Sequence, residues 1–177
     1  MSELTMDAIL ANVFLTVQER LATLPELKFI DQDMGQLEFD DSDQLCPVKF
    51  PCALFDPVEI RYTDNSEYSQ QGESVLEVRL GVAAYTAATH YYQNDSHKIN
   101  ALGYFNLEHR VNQVLHGWSD ERYFNPLSRI SAQTERRKDN VRVRVLRYAF
   151  GFVDNTAMKV RTLQARPDLE VIPNVLP

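Results

Sequence analysis

The chain has 177 residues, is 44% hydrophobic and carries a formal charge of −7, enough to bury one sizeable core, with no Gly-, Ser- or Pro-rich linker to divide it. Its net negative charge is opposite to the usual footprint of a nucleic-acid-binding domain, and no apolar run approaches the roughly 18 residues that a membrane span needs. Charge is also sorted by position: residues 1–60 hold twelve Asp and Glu against three Lys and Arg, while residues 128–177 hold five against ten. An acidic front and a basic back suit head-to-tail self-association, in which a surface binds a different surface on an identical copy. Met1 to Thr5 lack the basic and apolar regions of a secretory signal, so the expectation is a protein made and used in a cytoplasm.

Met6, Ile9, Leu10, Val13, Val17, Leu21 and Leu24 recur at three- and four-residue steps, which predicts an amphipathic helix over about Thr5–Thr23 that Pro25 stops. Lys28–Asp40 reads as two short strands around Asp33, Met34 and Gly35, a turn where glycine can supply positive φ. Val48–Tyr62 reads as extended but is punctuated by Pro47, Pro51 and Pro57, which suits an edge strand or a bent one. Thr63–Glu73 is polar and is expected to be a mobile loop. Ser74–Tyr85 is predicted to be a central strand, because Leu76, Val78, Leu80 and Val82 share one face while Glu77 and Arg79 point the other way. Its far end, Gly81 to Ala88, is small on both faces, which permits close packing of a helix or of another subunit. After a loop at Gln93–Lys98, a second helix is predicted from about Asn100 to His116, with Leu107, Val111, Val114 and Leu115 as its apolar stripe. Gly117 stops it, and Trp118 anchors that end.

Ser128–Lys138 and Val141–Val153 flank Asp139 and Asn140, residues that tolerate the left-handed conformation of a tight turn. That turn pairs Arg137 with Arg142, Arg136 with Val143, Glu135 with Arg144 and Ile130 with Ala149. A strand of thirteen residues reaches about 43 Å against a domain diameter of roughly 40 Å, so this β-hairpin is expected to project beyond its own core. The expected fold class is a single α+β domain over residues 1–160, mainly an antiparallel sheet flanked by two helices. Residues 161–177, rich in proline, read as an extended tail.

Like charges directly opposite in a hairpin are destabilising, so the basic ribbon calls for an explanation. Three stay open: a solvated tip, an acidic surface supplied on assembly, or nucleic acid. In the second, Arg136, Arg137, Lys138, Arg142 and Arg144 meet Glu38, Asp40, Asp41 and Asp43 of a neighbouring copy. Cys46 and Cys52 would stand roughly 20 Å apart in extended chain, beyond the span of a disulfide, and read as reduced, buried small hydrophobes. Asp31, Asp33 and Gly35 fall short of a calcium loop, since the position for a bidentate Glu holds Ser42. His109 and His116 lie two helical turns apart, too far for a shared metal. With no phosphate loop and no nucleophile signature, the chain is expected to be neither an enzyme nor dependent on a metal or cofactor.

Four segments, Phe29 to Leu37 (FIDQDMGQL), Pro47 to Leu54 (PVKFPCAL), Leu115 to Trp118 (LHGW) and the ribbon at Ser128–Val153, together with the order of elements, resemble the tail terminator or tail-completion family of bacteriophages and prophages. The likeness covers most of residues 5–153. It implies an antiparallel sheet flanked by helices, assembled as a homo-oligomeric ring, commonly a hexamer. Such a ring caps the tail tube, ends its polymerisation and joins tail to head, so the implied partners are further copies of the chain, the tail tube protein and a head-completion or neck protein. The implied location is the virion tail or neck, with assembly in the host cytoplasm, and DNA would meet the chain only in passing through the ring. The resemblance carries over no catalytic residue. The alternatives are a head–tail connector or another minor tail protein, and, from a different class, a small α+β ligand-binding domain or enzyme.

Overall fold

The computed structural model describes residues 7–38, 48–83, 95–137 and 140–158. Two helices and five strands follow in the order α1 (Ile9–Ala22), β1 (Phe29–Gln32), β2 (Cys52–Ser66), β3 (Ser69–Ala83), α2 (Asp95–Leu115), β4 (Ser128–Glu135) and β5 (Val141–Asp154). The strands form one sheet ordered β1-β2-β3-β5-β4. Every pairing is antiparallel except β1 with β2, and the chain is α+β.

Alternation along the strands divides the apolar residues between the two faces. Phe55, Leu76, Val78, Leu80, Leu146, Tyr148, Phe150 and Phe152 form the main core with Val13, Val17 and Leu21 of α1 and Leu107, Val111 and Leu115 of α2. The other face carries a smaller cluster at one end only, where Leu37, Cys52, Leu54 and Val143 meet Phe29, Val48, Phe50, Val141 and Val145. Glycine makes the packing at that end possible: a Cβ on Gly81 would stand 2.7 Å from Cys52 Sγ. At Gly81 the close packing expected of the small end of β3 is thus made inside the chain, while residues 84–88 lie outside the described residues. Burial pushes the Cys52 thiol up to about 11, against weaker opposing hydrogen bonds from the backbone, so this cysteine is a packed hydrophobe and a poor nucleophile. Cys46 lies outside the described residues.

α1 lies within the predicted span but begins at Ile9, four residues later than expected, and α2 begins five residues earlier than expected, taking in part of the presumed loop Gln93–Lys98. Gly117 adopts φ +76° at the end of α2, as a stop requires. Trp118 packs edge-on against Phe124, with the Arg20 guanidinium 5.3 Å from its ring centroid.

Four expectations need correction. Lys28–Asp40 is no hairpin: it contains β1 alone, which pairs in parallel with β2 from Phe29–Cys52 to Gln32–Phe55. The turn after it does use Gly35 at φ +79°. Thr63–Glu73 is no loop either. β2 and β3 run on as paired strands to Ser66 and Ser69, and their polar sequence reflects a tip exposed on both faces at residues 61–67. Third, the register of β4 with β5 is one residue away from the expected one, pairing Glu135 with Val143 and Thr134 with Arg144, and it shifts again at Ile130. Arg137 therefore does not face Arg142. Finally, β5 is an interior strand, paired with β3 from Val141 to Asp154. The β4–β5 ribbon is built into the sheet and does not overhang it, and the long hairpin is β2–β3, with 15 residues in each strand. The tail at 161–177 lies outside the described residues.

Candidate functional site

On the face away from the helices, β3 carries Arg79, whose side chain is only 8% exposed. It is an arginine inside an apolar strand, and three carboxylates converge on it. Asp33 from the turn after β1 lies at 3.3 Å, Glu38 at 3.0 Å, and Glu135 from the end of β4 at 2.7 Å. Arg137 joins the group: it donates to Glu135 at 2.9 Å and to the backbone carbonyl of Leu37. The basic ribbon and the acidic front are thus neighbours within one chain. For Arg137 and Glu38, the charge anticipated on another copy is already supplied here.

The helix-facing side of the same end holds a second cluster. Glu108 of α2, 8% exposed, accepts from Arg144 Nε at 2.6 Å and lies 3.7 Å from Arg129. Arg144 also donates to Thr134 Oγ1 at 2.6 Å. Arg142 is exposed and stacks on Tyr104, 4.8 Å from the ring centroid. Arg136 is exposed. Of the anticipated contact residues, the structure therefore joins Arg137 and Glu38 in one network, places Arg144 in another and leaves Arg136 and Arg142 at the surface. Lys138, Asp40, Asp41 and Asp43 lie outside the described residues.

Sequence reasoning passed over Arg79 and Glu108 as functional groups. The available signals were an arginine between Val78 and Leu80 and a glutamate beside Leu107 in the apolar stripe of α2. Both charges are buried and need partners to be tolerated. The histidines and aspartates tested as ligands are scattered: His116 Nδ1 accepts the Arg129 amide at 3.1 Å, Asp33 is taken by Arg79, and Asp31 Oδ1 accepts the Gln32 amide at 2.8 Å.

The Arg79 network makes stability depend on pH. Burial alone would raise the Glu135 carboxyl, but hydrogen bonds from Arg79 and Arg137 outweigh burial and hold it below its ordinary value of 4.5. Between the two values the unfolded chain binds the proton more readily than the folded one. The contribution is therefore whole above the unfolded value and is lost as pH falls through the folded one. Urea midpoints are expected to drop as pH falls below the ordinary value of 4.5 and through the lowered folded one, and Glu135→Gln should flatten that fall. Parallel profiles for the two proteins would show that Glu135 does not carry it.

A third feature is apolar. Leu10, Ala11, Phe14 and Leu15 of α1, with Pro57 and Ile60 of β2, line an open groove of about 550 Å³ whose rim carries Gln32 and Asp56. Phe14, which lines it, stacks on the buried Phe55, with ring centroids 4.4 Å apart. Burial raises the Asp56 carboxyl, and the Gln32 amide, 3.5 Å away, only partly offsets that.

No protein-family model matches the chain, and no curated protein matches it. Among solved structures it is similar to a chain of one described as "Virion of native gene transfer agent (GTA) particle", with 11% identity and a TM-score of 0.49, over 78% of this chain and 92% of that one.

Proposed function

We propose that this chain is a structural protein of a phage or prophage virion, forming a homo-oligomeric ring that caps the tail tube, ends its polymerisation and contributes to head–tail joining. The observation that carries the reading is the order of elements around the resembling segments. The segment Phe29 to Leu37 forms β1 and its turn, Cys52 to Leu54 opens β2, Leu115 to Trp118 ends α2, and the ribbon follows in an antiparallel sheet flanked by helices. This is the architecture that the tail-terminator resemblance implies. The charged residues support a structural role in preference to catalysis: Arg79, Asp33, Glu135, Glu108 and Arg144 are paired with one another, so they are committed to holding the fold. The partners under this reading are other copies, the tail tube protein and a neck protein, and the place is the tail or neck of the virion.

The test is tube elongation. Purified chain added to polymerising tail tube protein should shorten the tubes in negative-stain images and decorate one end of each. Tubes of unchanged length with bare ends would overturn the reading.

A further inference from the structure

The helical layer is apolar on both of its outer edges, and the two edges differ. On one lies the groove between α1 and β2. Ala11, Phe14, Leu15 and Gln18 are spaced to share one flank of α1, and Gln18 donates to the Ile30 carbonyl of β1 at 3.2 Å, so this flank faces the β1 edge of the sheet. The opposite flank faces α2, where Arg20 donates to the Val114 carbonyl at 3.0 Å. β1 stops at Gln32, opposite Phe55, and no described strand continues along β2 beyond it, so the groove stays open to the side.

On the other edge, α2 lies along β5, as the pairs Tyr104–Arg142, Glu108–Arg144 and Asn112–Tyr148 show. Three large apolar side chains point outward from its first half. Ile99, Leu102 and Phe105 are 65%, 45% and 47% exposed and follow one another at three-residue steps. Lys98 and Arg142 flank them, and the Arg144 guanidinium stands 5.5 Å from the Phe105 ring centroid.

We propose that α2 of one copy seats Ile99, Leu102 and Phe105 in the α1–β2 groove of the next. This inference rests on the ring reading above and names its contact. Shape favours a helix as the occupant, because a helical row of apolar side chains laid into an open apolar groove is a recurrent mode of recognition. Charge favours this helix, because the groove rim carries Asp56, whose hydrogen-bond partner is the neutral Gln32 amide, while the incoming stripe brings the exposed Arg142, with Lys98 beside it held 3.6 Å from Asp95. The two surfaces are unlike and lie on opposite edges, so the contact repeats from copy to copy and closes into a ring where the rotation permits. Arg142 then takes part in assembly, as its place in the basic ribbon suggested, but it meets the groove rim instead of the Glu38–Asp43 segment.

The test uses the full chain and native mass spectrometry across a concentration series. Leu102→Glu should weaken self-association about thirtyfold or more, the loss expected for a central apolar anchor. Leu15→Glu should do the same from the other surface; because Leu15 is half-buried, Ala11→Glu provides a second groove variant, and unchanged thermal melts establish that both fold. Each variant alone should be monomeric. An equimolar mixture of Leu102→Glu with either groove variant should give a dimer and nothing larger, since one intact α2 stripe then meets one intact groove. A mixture that stays monomeric overturns the proposal, as does wild-type assembly by Leu102→Glu, and in the second case self-assembly stands while its contact lies elsewhere. A wild-type chain that is monomeric at every concentration and does not cap tubes overturns the contact and the ring together.

Discussion

Arg79→Ala is expected to destabilise the chain by about 3 kcal/mol, the lower end of the loss for breaking a buried ion pair, because Glu38 and Glu135 remain partly hydrated at 63% and 31% exposure. For a chain of this size that lowers the thermal midpoint by about 6–12 °C, read by circular dichroism. The cause is specific. Removing the guanidinium leaves Asp33, Glu38 and Glu135 crowded together, with Arg137 as the one cation paired with them among the described residues, and carboxylates stripped of a shared cation repel. Adding Asp33→Asn and Glu135→Gln to Arg79→Ala should therefore recover part of the loss, although it deletes more of the network. A midpoint lowered by less than about 2 °C, or a triple variant weaker than the single one, would show that Arg79 is solvated in place and does not hold the turn after β1 to the end of β4.

The second large effect is expected at Gly72. This residue pairs with Tyr62 on one side and Phe152 on the other, and the Phe152 ring lies across it to meet the edge of Tyr62, with centroids 5.9 Å apart. A Cβ at position 72 would stand 2.2 Å from Phe152 Cζ. Phe152 is 2% exposed and packs beside Phe150, so its ring cannot simply swing away. Gly72→Ala should cost about 2 kcal/mol as overpacking, or about 4–8 °C in midpoint. Gly103→Ala is the control. That glycine is inside α2, with nothing within 4 Å of the added atom, and the substitution should stabilise by up to about 1 kcal/mol through helix propensity alone. If both substitutions shifted the midpoint in the same direction, the aromatic ring over Gly72 would not be the cause.

What could be read from the sequence was whatever depends on near neighbours. The 3.6-residue rhythm of Val13, Val17 and Leu21 places α1, and the two-residue rhythm of Leu76, Val78 and Leu80 places β3 in the middle of the sheet. Errors came where distant partners decide. β1 is the first of the two strands expected in Lys28–Asp40, but it pairs in parallel with β2, twenty-odd residues on, and nothing within Phe29–Gln32 announces that partner. Residues 61–66 and 69–73 are strand because β2 and β3 hold each other, although their side chains are mostly polar on both faces. The register of the ribbon failed through the turn. Asn140 does take positive φ, at +23°, but residues 136–140 separate the two strands where two residues had been allowed, and a one-residue slip moves every side chain of β4 to the other face. The charged clusters were legible only as composition. Acid and base were seen at the two ends of the sequence, and the sheet brings them together within one molecule through Arg79, which belongs to neither end.

β5 is the last of the described strands to be made, and it lies between β3 and β4. Residue 83 leaves the ribosome 71 residues before residue 154, an interval of roughly 4–14 s at ordinary rates of synthesis. Throughout that interval the β3 edge that will receive β5 has open backbone donors and acceptors, and β4 emerges with no partner at all. The nascent chain therefore passes through a stage in which the three strands β1 to β3 and an unpaired β4 await the same late segment, and each presents an edge on which a second nascent chain could pair. Translation of residues 141–154 is thus the step that converts a chain prone to pairing with its neighbours into one in which all five described strands are paired.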